Sequence, residues 1–300
     1  MSQASFSHSL REELLARLQE AKEHWQVGFY SLCLAAMRYS GKQLRFSTKQ
    51  LGFAQLLQEQ VQYLYGKSAN LTEGKSQLSL VIDDEELIAK IRQDAREWAN
   101  EREQQKQVED LSEKELAEFS IILSELFLAC GSIGSPRDSY QLEFSLQRRL
   151  ALQFFQEIFK AVGLSMRSIR HQGYHVLYAK DGQRISDFLL LSGAHQSLLA
   201  FEDLRVEKDV LNQVNRMVNC DNANAQRVAD SSAKQREAIR RLVQSGRWQE
   251  LPEELQEVGT LRMKFPELSL AELGARLEPP LGKSGVNHRI KKLMREADLT

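Results

Sequence analysis

The sequence predicts an α+β protein in two parts, a body made from two copies of one helix–strand pattern and an all-α C-terminal domain. Three observations carry this. Segments starting at Trp25 and Phe119 repeat the order helix, strand, helix, strand, strand, helix. Strand-type alternation stops after about residue 203. The stretch Lys283–Arg295 holds five Lys or Arg residues and no acid, on a helical pattern that follows a shorter helix signal.

The repeat is read element by element. "WQVGFYSLCLAAMRYSG" and "FSIILSELFLACG" are apolar helices, each expected to stop at a glycine, Gly41 or Gly131. Alternation then predicts strands through Leu44 and Phe46 in the first copy and Leu142 and Phe144 in the second. Amphipathic helices follow, with Leu56, Leu57, Val61 and Leu64 matching Leu152, Phe155, Ile158 and Phe159. Both end at a glycine, Gly66 or Gly163, the position that favours a left-handed residue. "LSLVIDDEELIAKI" and "HVLYAKDGQRISDFL" each read as a strand, a polar turn and a helix. The copies span about 23–93 and 114–192 of a body over 1–204, and the polar stretch 94–113 reads as a solvated helical linker. Small residues on the apolar helices suit close side-by-side packing, with the strands expected in one saddle-shaped sheet.

Residues 205–248 read as a long helical segment with one polar break near Asp221–Asn224. In "VNRMVNCDNANAQR", Asn215, Arg216 and Asn219 form either a polar contact surface or hinge and capping chemistry, and the break favours the second. Residues 249–300 read as three short helices, with Pro252 suited to a first turn and Ser269 to an N-cap. Their apolar faces are Val258, Leu261 and Phe265; Leu270, Leu273 and Leu277; and Val286, Ile290, Leu293 and Ala297.

Composition bounds the function. Hydrophobic residues are 42% and charged residues 27% of the chain, which suits packed domains and not a disordered chain. The N-terminus has acids early and no apolar core of a signal peptide, so a cytoplasmic protein is expected. The three isolated cysteines, Cys33, Cys130 and Cys220, fit reduced thiols better than disulfides or a zinc site. His171, His175 and His195 are scattered, and the first two flank a turn at Gly173, so no metal and no cofactor is expected. A net charge of −1 leaves nucleic-acid binding open, because the local patch decides it.

Gly282-Lys283-Ser284 has two readings. A phosphate-cradling loop needs a glycine where Leu277 stands and a strand ahead of the loop, where a helix and Pro279-Pro280 are found instead. A helix start, with Ser284 as a cap, fits better. At about 100° per residue, Ser284, His288, Lys291, Lys292 and Arg295 lie opposite the apolar face, flanked by Asn287 and Arg289. A helix of this kind, second in a helix–turn–helix, enters the major groove by its N-terminal part. Ser284, Asn287, His288 and Arg289 are candidates for base or nearby phosphate contacts, and Lys283, Lys291, Lys292 and Arg295 for phosphates.

The paired helices with terminal glycines resemble the LAGLIDADG homing-endonuclease fold. In that family an acid precedes each terminal glycine and the pair holds a divalent metal. Ser40 and Cys130 stand at those positions here, so the nuclease chemistry lacks its ligands. "SFSHSLREEL", "FLACGSIGSPRDSYQLEF", "VNRMVNCDNANAQR" and "LSLAELGARLEPPLGKSGVNHRIKKL" together resemble the WhiA family. That family joins a degenerate LAGLIDADG-like domain to a helix–turn–helix domain. Cys130 stands where the family usually has a second glycine, and Gly282 where it usually has serine. The resemblance implies a nucleoid-associated transcriptional regulator without catalysis. Its implied roles are sporulation in actinomycetes and cell division or chromosome segregation in firmicutes. The implied partners are double-stranded DNA and other regulatory or cell-division proteins, with no membrane. A LAGLIDADG-type endonuclease and a protein-interaction adaptor are the alternatives.

Overall fold

A computed structural model describes residues 5–40, 42–104 and 111–298. The expected helix stop at Gly41, part of the expected linker (105–110) and Leu299 lie outside the described residues. The chain divides into two compact units, Met1–Lys208 and Asp209–Thr300.

The first unit opens with helix α1 (Phe6–Glu20), capped by the Ser5 side chain and burying Leu10, Leu14, Leu15 and Leu18. The first repeat is α2 (Trp25–Ala35), β1 (Arg38–Ser40), β2 (Gln43–Thr48), α3 (Leu51–Tyr65), β3 (Asn70–Glu73), β4 (Leu78–Ile82) and α4 (Glu85–Gln104). The second is α5 (Glu113–Cys130), β5 (Gly131–Ile133), β6 (Leu142–Leu146), α6 (Arg149–Ala161), β7 (Arg167–His171), β8 (Tyr174–Ala179) and α7 (Gly182–Leu191). The strands form two four-stranded antiparallel sheets, β1-β2-β4-β3 and β5-β6-β8-β7, instead of the single sheet expected. Each repeat satisfies its own ladder. The registers repeat as well: Leu44 pairs with Ile82 and Phe46 with Leu80, as Leu142 pairs with Ala179 and Phe144 with Leu177.

Gly66 and Gly163 both have left-handed φ (66° and 75°), as expected at helix ends. Two other expectations are corrected. Helix α2 ends at Ala35, well before Gly41, and residues 38–40 instead form the edge strand β1. A three-residue strand is too short to show alternation, and the apolar run into Met37 masked the helix end. The polar linker is also not fully solvated, because α4 continues to Gln104. Ile88, Ile91, Ala95 and Trp98 recur at helical spacing and are all buried.

Helices α2 and α5 pack against each other at the centre of the unit. A Cβ added to Gly28 of α2 would lie 2.7 Å from the carboxyl carbon of Glu125 in α5 and 3.0 Å from Ile121 Cγ2, so any side chain at this position would have to displace the Glu125 carboxyl. Glu125 is fully buried, and Gln60 of α3 donates to its Oε1. Burial pushes this carboxyl up to about 8, while the Gln60 hydrogen bond works in the opposite direction. The raised value fixes a pH dependence. The unfolded chain releases this proton near 4.5, and the folded chain holds it until about 8. Between those values the folded state binds more protons, so raising the pH favours unfolding. The Glu125 contribution is therefore intact below pH 4.5 and is lost progressively up to pH 8. Urea unfolding of the full chain at both ends of that window should show Glu125→Gln more stable than the parent at the high end, with a flatter pH profile. A parent profile identical to that of Glu125→Gln would refute this assignment.

Candidate nucleic-acid interface

Helix α8 (His195–Gln244) runs without interruption, and the division between the units falls within it. The expected break at Asp221–Asn224 is absent. Asn and Asp are weak helix formers but do not break a helix, and local pairs such as Gln226 Nε2 donating to Asp230 Oδ1 (2.8 Å) lie within it. Asn215, Arg216 and Asn219 are exposed on this continuous helix, so the hinge reading is corrected.

The second unit continues with α9 (Glu253–Lys264), α10 (Leu270–Gly274) and α11 (Lys283–Asp298). Its core joins Ala238, Ile239 and Leu242 of α8 to Leu255 and Val258, to Leu273 and Leu277, and to Val286, Ile290, Leu293 and Ala297. The four predicted core positions of α11 are all buried. Leu261, Phe265 and Leu270 are half-buried and pack against this core.

Polar contacts set the turns. Ser269 and Glu272 form a complete capping box at the start of α10, as its Ser-x-x-Glu spacing implies. The buried Arg262 donates from Nη1 to the carbonyls of Phe265 (3.4 Å), Pro266 (3.3 Å) and Leu268 (2.7 Å). It thereby satisfies acceptors that the end of α9 leaves open. No periodicity marks this arginine, and it was missed in the sequence. In the turn before α11, Leu281 donates its N–H to the carbonyl of Gly274 (2.9 Å). A Cβ on Gly274 would lie 1.9 Å from the Leu281 carbonyl oxygen.

Helix α11 begins at Lys283, and Val286 N–H donates to the Gly282 carbonyl (3.1 Å). Gly282 therefore occupies the cap position, and Ser284 sits in the first turn rather than capping it. Among the described residues of the second unit there is no strand, so a strand-to-helix phosphate loop is absent.

The candidate contact residues fall into two groups. Ser284, His288, Lys291, Lys292 and Arg295 are exposed together on the face opposite the core, and Lys283 is exposed at the start of the helix, on its core side. Among the described residues none of these four cations has an ion-pair partner. Asn287 and Arg289 flank this face and are half-buried. Arg289 is already engaged: its Nη2 lies 3.2 Å from Glu254 Oε2 and its Nη1 4.0 Å from Glu257 Oε2, both on α9. The other end of α11 is held by Arg247, 3.0 Å from Glu296.

The two positions matched to nuclease carboxylates lie in the first unit. Cys130 ends α5 as expected, with Sγ 3.4 Å from the Leu126 carbonyl and burial pushing its thiol up to about 12. Ser40 is not its counterpart. Tyr39 pairs with Leu44 as Ile133 pairs with Leu142, so counting back three residues from each sets Ala36 against Cys130. Ala36 and Cys130 also line the same recess, which Ser40 does not. The early end of α2 hid this, and neither corrected position is a carboxylate.

Comparison with known proteins follows this division. Residues 119–211 match the family model "WhiA LAGLIDADG-like domain", and residues 214–297 match "WhiA C-terminal HTH domain". A probable cell division protein WhiA of Caldicellulosiruptor bescii is 41% identical over 176 residues, 59% of this chain and 54% of that protein. One from Desulforudis audaxviator is 44% identical over 173 residues, 57% of this chain and 55% of that protein. The chain thus spans about half the length of the curated relatives it matches. The crystal structure of full-length DUF199/WhiA from Thermatoga maritima covers 98% of both chains, with a TM-score of 0.55 and 25% identity.

Gly274→Ala tests the geometry of this unit. The added methyl collides with backbone, so the variant should lose about 1–3 kcal/mol of stability. Hydrogen exchange should show α11 amides losing protection, and unchanged protection would contradict the tight turn.

Proposed function

The chain belongs to the WhiA family, and from that premise we propose that it is a sequence-specific transcriptional regulator that binds double-stranded DNA without catalysis. The observation that carries this reading is the exposed face of α11, acid-free from Lys283 to Arg295, on the second helix of a helix–turn–helix whose opposite face is core. The N-terminal part of α11 enters the major groove, where Ser284, Asn287 and His288 meet base edges or nearby phosphates. Lys283, Lys291, Lys292 and Arg295 neutralise backbone phosphates. Arg289 contributes by exchanging its α9 carboxylates for DNA, or by holding the helix angle through them.

The biological role proposed is regulation of cell division, in keeping with the name of the curated relatives, together with chromosome segregation, and sporulation is the alternative role. Cytoplasmic and nucleoid localisation follows from DNA as the partner, and other regulatory or cell-division proteins are further partners. The non-catalytic reading rests on Ala36 and Cys130 at the two helix ends, since neither offers Mg²⁺ a hard oxygen ligand.

Two measurements test these readings. Replacing Lys291 and Lys292 with alanine should weaken DNA binding across sequences and reduce the log–log salt slope by about 1.8, at about 0.9 per phosphate contact. An unchanged affinity and slope would remove α11 as the DNA-binding element and favour the adaptor reading. Plasmid DNA incubated with the protein and Mg²⁺ should stay intact, whereas site-specific cleavage abolished by chelation would establish a nuclease.

A further inference from the structure

A recess of about 440 Å³ lies in the first unit at the ends of α2 and α5, lined from both sheets. That volume suits a small molecule. On the first repeat its wall includes Arg38 and Arg45, which stand directly opposite each other in the β1–β2 ladder. Like charges at such a cross-strand position destabilise a sheet. Both side chains are exposed, and among the described residues neither has a hydrogen-bond or ion-pair partner. Two unneutralised guanidinium groups beside one cavity make a site for a multiply charged oxyanion, and phosphate matches the guanidinium fork.

The second repeat does not copy this charge. By the matching registers, Ser132 takes the place of Arg38 and Glu143 the place of Arg45. Glu143 lines the opposite wall with Tyr174, and its Oε1 accepts from Gln141 Nε2 (2.7 Å). A duplex lying across both repeats would present phosphates to a carboxylate on one side. A small molecule with a phosphate at one end and N–H donors at the other satisfies both walls. We infer that this recess binds a small phosphorylated molecule of the nucleotide class. Arg38 and Arg45 hold its phosphate, Glu143 accepts from its base and Tyr174 supplies a flat apolar surface.

Isothermal titration calorimetry of the full chain tests this, with orthophosphate and then AMP, GMP, CMP and UMP as probes. Orthophosphate should bind weakly, and at least one mononucleotide should bind about tenfold tighter, through its added contacts. Arg38→Gln and Arg45→Gln should each weaken both, whereas Glu143→Gln should weaken only the nucleotide. Each arginine variant removes one of two repelling charges, so its phosphate-free melting temperature should not fall below the parent's. Absence of binding by every probe, or binding that the arginine variants leave unchanged, would overturn the site. A duplex titrated into the Lys291→Ala/Lys292→Ala background separates the two sources of phosphate. If the arginine variants alter only duplex affinity there, the anion is the DNA backbone and the small-molecule proposal is wrong.

Discussion

The first unit depends on the contact between α2 and α5. Each repeat presents one apolar helix to the other, and they meet where Gly28 leaves room for Glu125 and Ile121. That closeness has an electrostatic consequence. A carboxyl group occupies the space a methyl would take, sealed from water, with Gln60 as its hydrogen-bonding neighbour. A buried carboxyl of this kind is tolerated in its neutral form, which explains why its proton is held so far above the usual range. The two sheets follow directly from these helices, so the contact also sets where β1 and β5 start and where the recess opens.

The N-terminal helix reinforces the same centre through charge-assisted bonds. Arg11 donates to the Leu128 and Gly131 carbonyls, closing acceptors at the end of α5. Glu13 accepts from the N–H groups of Gln196 and Ser197 at 2.8 Å, capping the start of α8 with a carboxylate. The second unit uses the same chemistry in another form, with Arg262 gathering three carbonyls between α9 and α10. In each case a charged side chain substitutes for the backbone partners that a helix end lacks.

Periodicity and capping were legible in the sequence where they are local. Ser269 with Glu272, the left-handed Gly66 and Gly163, and the buried face of α11 each follow from a few neighbouring residues. The exposed face of α11 was legible for the same reason, since core positions fix what lies opposite them. What escaped depends on distant partners. Edge strand β1 exists because β2 pairs with it, and Ala36 is equivalent to Cys130 only through that pairing. Arg289 read as a free cation because Glu254 and Glu257, which bind it, lie more than thirty positions away. The supposed break in α8 failed differently, because weak helix propensity was given the force of a breaker.

Arg45 and Glu143, equivalent positions of the two repeats with opposite charge, carry a wider consequence. A body made of two like halves inherits every surface position in duplicate, while only the shared helix contact must keep both halves compatible. Positions away from that contact are free to diverge one copy at a time. Reversing a charge in one copy converts a surface suited to a symmetric partner into one with direction, with distinguishable ends. The duplication then serves as a scaffold for polarity, and orientation becomes something this half of the molecule is able to read.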